Sequence, residues 1–512
     1  MADKEKVIVI DFGSQYTHLI AQKVRSLGVY SEVQHPEDYI VDDNVKGIIL
    51  SGSPYSVYEE GAPKIDLDKL LRFRIPILGI CYGLHLIAYE LGGRVYRSER
   101  GEYGRTELLI SSRHPLVEGI PRKSIVWMSH KDIVATVPDK FRVLGYTGGS
   151  KIAIIANDEQ KIYGVQFHPE VEHTRYGVNF LRNFLFNICG CSGGWNPINV
   201  VNEFINAHKD LKKEKAIVAV SGGIDSTVTA IILRKIFGDN LHLIFIDTGL
   251  LRYGEKDWVV KLFKKLGFEN LHVIDASERF LEALNGVRRP EVKRRIFSEL
   301  FYKIFEEEAD KLERKYGKIK YLGQGTLYPD RVESGATSRY TDRIKSHHNV
   351  IVRSKRFIIL EPLKDLYKNE VRKIARALGL PKEVCIRHPF PGPGLAVRII
   401  GNITRRRIEI LRKADKIVEE TIRKYELYED LWQVFPVLLT LRSVGVKGDK
   451  RSYEYIIAIR AVKSVDAMTA EFAKLPWHIL EEIANRILNE VEGVNRVLYD
   501  ISNKPPATIE YE

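Results

Sequence analysis

The chain has 512 residues, of which 44% are hydrophobic and 29% charged, and a formal net charge of +12. That length exceeds what one core supports and sets an expectation of about two to four domains, and the composition excludes a disordered or fibrous chain. No apolar run approaches the ~20 residues of a membrane span, and four cysteines are too few for a disulfide framework, which points to a reducing, cytoplasmic setting.

In chain order, "MADKEKVIVID" enters a strand at once, so no secretory leader is expected. "SQYTHLIAQKVRSLG" follows as a helix with Leu19, Ile20, Val24 and Leu27 on one face. "KGIILSG" and "IPILGI" are two further buried strands, and this β-α-β rhythm predicts a parallel sheet wrapped by helices. Strands and turns dominate about 95–170, then the helix "RYGVNFLRNFLFNIC" runs into a linker, "GCSGGWNP". The C-x-C of Cys189 and Cys191 reads as incidental, since zinc-type C-x-x-C pairs are absent from the sequence. A second β-α-β run begins at "KAIVAV" and continues through "LHLIFID", "LHVIDA", "KYLGQGT" and "RFIILEP". The stretch "IRHPFPGPGLAVRIIG" marks another boundary, beyond which lie a basic helix over 405–424, strands in "WQVFPVLLTL" and "SYEYIIAIRAV", and a helix near "PWHILEEIANRIL". Most residues of the basic clusters "RRPEVKRR" and "ITRRRIEILRK" read as solvated helix faces, and the alternative is a field that attracts anionic substrates, nucleotides included. No motif for nucleic acid accompanies them, so neither nucleic acid nor a membrane is expected as a partner.

Three stretches of the first domain carry chemistry. In "GICYGLH", Cys81 lies between a strand and a helix start, where free N–H groups favour a thiolate and an oxyanion. In "GVQFHPEVEH", His168 and Glu170 stand two apart, so that in an extended segment they share a face and suit a base with its orienting carboxylate. The turn "LSGSPYSV" can present a backbone donor. In order and spacing these motifs resemble the class I glutamine amidotransferase family over residues 5–190. The resemblance implies that Cys81 attacks the glutamine amide, His168 moves the proton with Glu170 orienting it, and the backbone amides of Ser53 and Tyr82 form the oxyanion hole. The family often has Gly where Ser53 stands and usually Gln where His85 stands. His85 is expected on the face of Cys81, gripping glutamine and titrating between about pH 6 and 7.5.

"AIVAVSGGIDST" is a strand, a small-residue loop and a helix start, which suits a pyrophosphate. It lacks G-x-x-x-x-G-K-[ST] and instead resembles the ATP pyrophosphatase family. Ser221, Gly222, Gly223, Ile224, Asp225, Ser226 and Thr227 are the expected ATP site, with Asp225 as the ligand of Mg2+. "GQGTLYPDRVES", "IKSHHN", "RHPFPGPGLAVR" and "KPPATIEYE" follow in the order found in the GMP synthase family, and the combined resemblance covers the whole chain.

That resemblance implies two parallel-sheet α/β domains, a flavodoxin-like glutaminase over 1–190 and an adenine-nucleotide α-hydrolase-like ATP pyrophosphatase over 191–390. A small α+β dimerisation and XMP-binding domain over 391–512 follows. It implies XMP, ATP and glutamine as substrates, a homodimer, Arg294, Asp449, Lys504 and Glu510 at the XMP site, and a lid carrying Lys345, His347 and His348. The alternative is a related glutamine-dependent ligase with another acceptor. Asp330 and Glu333 are expected to bind Mg2+ or to order their loop. The segment after "HHNV" and Arg289, where Asp is usual, depart from the family pattern.

Overall fold

In this computed structural model residues 5–335, 356–464, 467 and 469–512 are described. The chain forms two compact units, one carried by Met1–Asn196 and one by Pro197–Arg331 with the described part of Lys345–Glu512.

The first unit is built on nine strands: β1 (Lys6–Ile10), β2 (Tyr30–Gln34), β3 (Val45–Leu50), β4 (Ile77–Ile80), β5 (Arg94–Ile110), β6 (Lys123–Thr136), β7 (Arg142–Tyr146), β8 (Ile154–Asn157) and β9 (Ile162–Val165). They form one sheet in the order β2-β1-β3-β4-β9-β8-β7-β5-β6. The β2 to β9 half is parallel and the remainder antiparallel. β4 and β9 are buried along their whole length, as strands covered on both faces must be. The helix Thr17–Ser26 buries Leu19, Ile20 and Val24, as its period predicts.

The second unit holds a parallel sheet of β10 (Ala216–Ala219), β11 (Leu241–Asp247), β12 (Leu271–Asp275), β13 (Tyr321–Gly323) and β14 (Ile358–Leu360), ordered β12-β11-β10-β13-β14. β10 is central, so the chain reverses direction across it, and ligands bind outside the carboxyl ends of strands at such a switch point. A second sheet contains β15 (Ile399–Ile400), β16 (Gln433–Lys447), β17 (Lys450–Lys463), β18 (Glu471–Phe472) and β19 (Val494–Asp500). The helix Arg405–Lys424 covers it, with Thr404 capping its first turn and Ile408, Leu411, Val418 and Ile422 buried. The helix Trp477–Glu490 adds Ile479, Ile483 and Ile487 to the same core.

On β11 and β12, His242 Nδ1 lies 3.2 Å from His272 Nε2, with Tyr316 packed on both rings. Burial lowers both pKa values; His272 and Lys215 add to it and bring His242 to about 4, while at His272 burial outweighs the opposing Glu308 charge. The folded state therefore binds fewer protons than the unfolded state between about pH 4 and the usual histidine value of about 6.5. Stability is full above that window and falls as pH drops through it, by up to about 1.4 kcal/mol per pH unit for each proton. Replacing His242 by Phe keeps a ring on Tyr316 and removes one such proton. The urea midpoint should then fall less between pH 7 and pH 5 than in the parent, and equal losses in both proteins would refute the assignment.

Candidate functional sites

In the first unit the buried strand β4 runs directly into Cys81, which has φ 53° and ψ −103°. A residue with a Cβ rarely holds this conformation, at a cost on the order of 1–3 kcal/mol, so the surroundings must impose it. The Cys81 amide donates to Val165 O at 2.8 Å, and Cys81 O accepts from His85 N at 3.1 Å as the helix Tyr82–Glu90 begins. The helix packs so closely on the sheet that a Cβ on Gly83 would lie 2.4 Å from Leu50 O. Tyr82 opens the helix and ties its hydroxyl to Pro63 O at 2.6 Å.

After β9, Gln166 and Phe167 are fully buried, Phe167 packing on Phe180 with ring centroids 4.8 Å apart. His168 follows, 3% exposed, and the chain turns at Pro169–Glu170 rather than staying extended. The turn still brings His168 Nδ1 to Glu170 Oε1 at 2.7 Å. The carboxylate can only accept, so Nδ1 carries the proton and Nε2 is left for the thiol. Thr174 Oγ1 donates to His168 O at 2.6 Å, and His168 N to Trp127 O at 3.0 Å, which pins the turn. Burial alone would lower the His168 pKa. The Glu170 charge and the hydrogen bonds to Cys81 and Glu170 outweigh it and push the imidazole up to about 10. In the turn after β3, a Cβ on Gly52 would lie 3.5 Å from His168 Cε1. Ser53 follows it and accepts from Tyr55 N at 3.3 Å.

His85 departs from its expected behaviour. It is 3% exposed, with Nε2 2.8 Å from Gln166 Oε1, and burial holds its pKa down at about 4. It is neutral throughout pH 6–7.5 and supplies no titration there. Gln166 also places its amide nitrogen 4.0 Å from Cys81 Sγ. Sequence reasoning missed Gln166, although its position two before His168 puts both on one side of the strand end.

In the second unit β10 leads into the loop Ser221–Gly223 and the helix Ile224–Phe237. Gly222 has φ 74°, and a Cβ there would come within 2.6 Å of Val259 and 3.4 Å of Arg387 Nη1. Ser221 Oγ accepts from Gly223 N at 3.3 Å, and Ser226 Oγ from Ser221 N at 3.3 Å. Ile224 opens the helix. Thr227 corrects an expectation: it is fully buried, and its amide and hydroxyl both donate to Gly223 O, at 3.0 and 2.8 Å. It braces the loop from within rather than facing a phosphate, because its side chain folds back on the preceding turn. Asp225 Oδ2 pairs with Lys368, while Oδ1 is buried without a hydrogen-bond partner among the described residues. An unpaired carboxylate oxygen beside a phosphate-type loop fits a divalent cation whose other ligands come from phosphate and water. Lys368 was not legible in sequence, lying 143 positions from Asp225.

The four expected XMP residues divide. Arg294 donates to Glu512 O beside the pair Lys293–Glu512. Glu510 takes two hydrogen bonds from the fully buried Arg398, at 3.1 and 2.9 Å, and one from Gln433 at 2.6 Å. Lys504 pairs with Ala470 through the backbone and donates Nζ to Ala467 O at 2.8 Å. Since Gln433 pairs with Val462 and Val462 with Phe472, Lys504 lies at the same end of the sheet as Gln433. Asp449 does not join them within one chain. It sits in the β16–β17 turn with φ 62°, at the far end of a hairpin whose strand rise separates it from Gln433 by roughly 45 Å. Asp330 accepts from Leu327 N at 3.0 Å and so orders its own loop. Lys345, His347 and His348 lie outside the described residues, as does the side chain of Glu333.

Family models match in the same order. Residues 8–188 match "Glutamine amidotransferase class-I", 215–326 the "Phosphoadenosine phosphosulfate reductase domain", and 420–511 the "GMP synthase C terminal domain". Among curated proteins, the glutamine-hydrolysing GMP synthase of Symbiobacterium thermophilum is 50% identical, over 99% of each chain. That of Aquifex aeolicus is 51% identical over 99% of this chain and all of its own, and that of Thermotoga maritima 49% identical over the same shares. Identity at about half of all positions, end to end, in a chain that carries both a cysteine elbow and a phosphate-type loop, makes this enzyme a member of the glutamine-hydrolysing GMP synthase family.

Proposed function

We propose that the chain makes GMP from XMP in two coupled reactions, with ATP and glutamine as co-substrates and AMP, pyrophosphate and glutamate as products. In the first, Cys81 Sγ attacks the glutamine side-chain amide after giving its proton to His168 Nε2. His168 returns that proton to the leaving nitrogen, ammonia departs, and water hydrolyses the thioester through the same base. Glu170 keeps the imidazole oriented and stabilises its charged form, and the Ser53 and Tyr82 amides serve the oxyanion. The observation that carries this half is His168, buried at the end of β9 beside the Cys81 elbow and held by Glu170 at 2.7 Å.

In the second reaction the xanthine C2 oxygen attacks the α-phosphate of ATP, and ammonia then displaces AMP. The amides and hydroxyls of Ser221, Gly222, Gly223, Ile224 and Ser226 hold the departing pyrophosphate, with Lys368 positioned to move from Asp225 to a phosphate. Bound Mg2+ would neutralise developing phosphate charge, and the orphan oxygen of Asp225 supports this residue as its protein ligand. Arg294, Lys504 and Glu510 are proposed for XMP. A cytoplasmic setting fits the four free cysteines, and among the described residues no helix is long and apolar enough to cross a membrane. A homodimer is supported by the apolar outer half of the β16–β17 hairpin, where Leu441, Val444, Val446 and Tyr453 are 72%, 47%, 75% and 54% exposed.

Three outcomes test these assignments. Cys81→Ala should lower glutamine-dependent GMP formation by about 10^3-fold or more, while formation from added ammonium persists; joint loss in a folded variant would overturn the division of labour. Asp225→Asn should abolish AMP formation with either nitrogen source, and an unchanged ammonium-supported rate at ordinary Mg2+ would remove its metal role. Changing Leu441 and Val446 together to Glu should turn a dimer into a monomer by light scattering. A mass that does not change would place the interface elsewhere.

A further inference from the structure

We propose that Gln166 and His85 form a positioning pair that aims an amide donor at the Cys81 sulfur and so favours its thiolate. The inference rests on the reading of Cys81 as nucleophile and extends it to two residues that do not touch the reacting amide.

The thiol has two neighbours besides His168. Ser129 O lies 4.0 Å from Sγ and can accept the thiol proton, which favours the neutral form. The Gln166 amide nitrogen, also 4.0 Å from Sγ, can only donate, which favours the charged form. As the proton passes from Sγ to His168 Nε2, the first contact loses its hydrogen and the second strengthens. A carboxamide offers this donor only if its oxygen is held away from the sulfur, and His85 does the holding. Gln166 Oε1 accepts from His85 Nε2 at 2.8 Å, and both side chains are buried, at 0% and 3% exposure. A neutral imidazole has one donor and one acceptor, so donation from Nε2 fixes both its tautomer and the amide's orientation. Burial keeps His85 neutral, with its pKa near 4.

The charged groups facing the pair come from several elements. His168 and Glu170 follow β9. His130 and Asp132 act on His85 from β6, and Glu102 on β5 lies 3.3 Å from His130 Nε2. None of these supplies a donor to Sγ other than His168. The segment just after β9 explains the pairing of roles: Gln166 and His168 flank Phe167, which packs on Phe180, so this segment delivers a fixed donor and a mobile-proton base to the same sulfur.

The test reads alkylation of Cys81 by iodoacetamide in the full chain from pH 6 to 10, with the site identified by peptide mass spectrometry. Gln166→Leu should slow alkylation about tenfold at pH 7 yet leave the rate at pH 10 within about twofold of the parent, the size expected for losing one hydrogen bond to a charged group. Gln166→Glu replaces the donor by an acceptor at nearly constant shape and should move the profile further in the same direction. His85→Leu should follow Gln166→Leu, with the double variant no slower than either, and His85→Gln, which restores an N–H donor, should return the parent profile. Superimposable profiles for the parent and both Gln166 variants would overturn the proposal. So would uniform slowing at every pH, which is what a merely structural role would cause. The nucleophile assignment fails separately, if glutaminase activity survives Cys81→Ala.

Discussion

The glutaminase half turns on one backbone hydrogen bond, from the Cys81 amide to the Val165 carbonyl. It is the last rung between β4 and β9, continuing the register in which Ile80 faces Val165. Because those strands are parallel neighbours, their carboxyl ends emerge side by side. Beyond the rung each chain leaves the sheet, one as a strained elbow bearing the thiol, the other as the bend bearing Gln166 and His168. A one-residue slip of either strand would exchange Gln166 and His168 for Phe167 and Pro169 at the sulfur. The tight approach of Gly83 to Leu50 O opposes such a slip by locking the helix after the elbow to β3.

Burial acts on two histidines of this site with opposite results. Both lose water, which alone would keep each neutral. His85 pairs with a neutral carboxamide, and burial outweighs the pull of Asp132, so it stays uncharged. His168 finds the carboxylate of Glu170, itself fully buried, and binds its proton tightly. One ring can thus hold an orientation across the pH range of activity while the other accepts and returns a proton. The two exposures are equal at 3%, so the difference lies in the groups around each ring, above all the Glu170 carboxylate beside His168.

What could be read from sequence was local. The strand runs, the elbow, the pair His168–Glu170 and the loop at 221–226 all occupy short windows, and all appear where expected. The helix at Arg405–Lys424 matches its predicted range, because capping by Thr404 and apolar period agree. Errors arose where a window says nothing about reach or rotamer. Thr227 looks like a phosphate ligand in a string of hydroxyls, but its side chain bonds one turn back. Asp449 is grouped with Glu510 by family pattern, while within one chain the length of β16 carries it to the far end of the sheet. His85 was given its solution titration, which burial removes. Lys368 and Arg398 meet Asp225 and Glu510 across 143 and 112 positions, separations that only the fold closes.

The last residues of the sequence show why such distant contacts are retained despite their cost. Arg398 and Lys293 have fully buried side chains, and stripping water from a cation is recovered only with good partners. Lys293 has them in Ala396 O, Ile399 O and the Glu512 carboxylate. Arg398 has Glu510 and the face of Phe435 at 4.0 Å, yet its Nη1 makes no hydrogen bond among the described residues and lies 3.7 Å from Asp415. An apolar core of the same volume would avoid that deficit. It would not bring residues 510 and 512 to the first turn of the helix Pro290–Tyr316 and to the segment 394–398, where Arg294 and Gln433 converge on them. These ion pairs therefore act as addresses for a short terminal segment that has little apolar surface of its own with which to find its place.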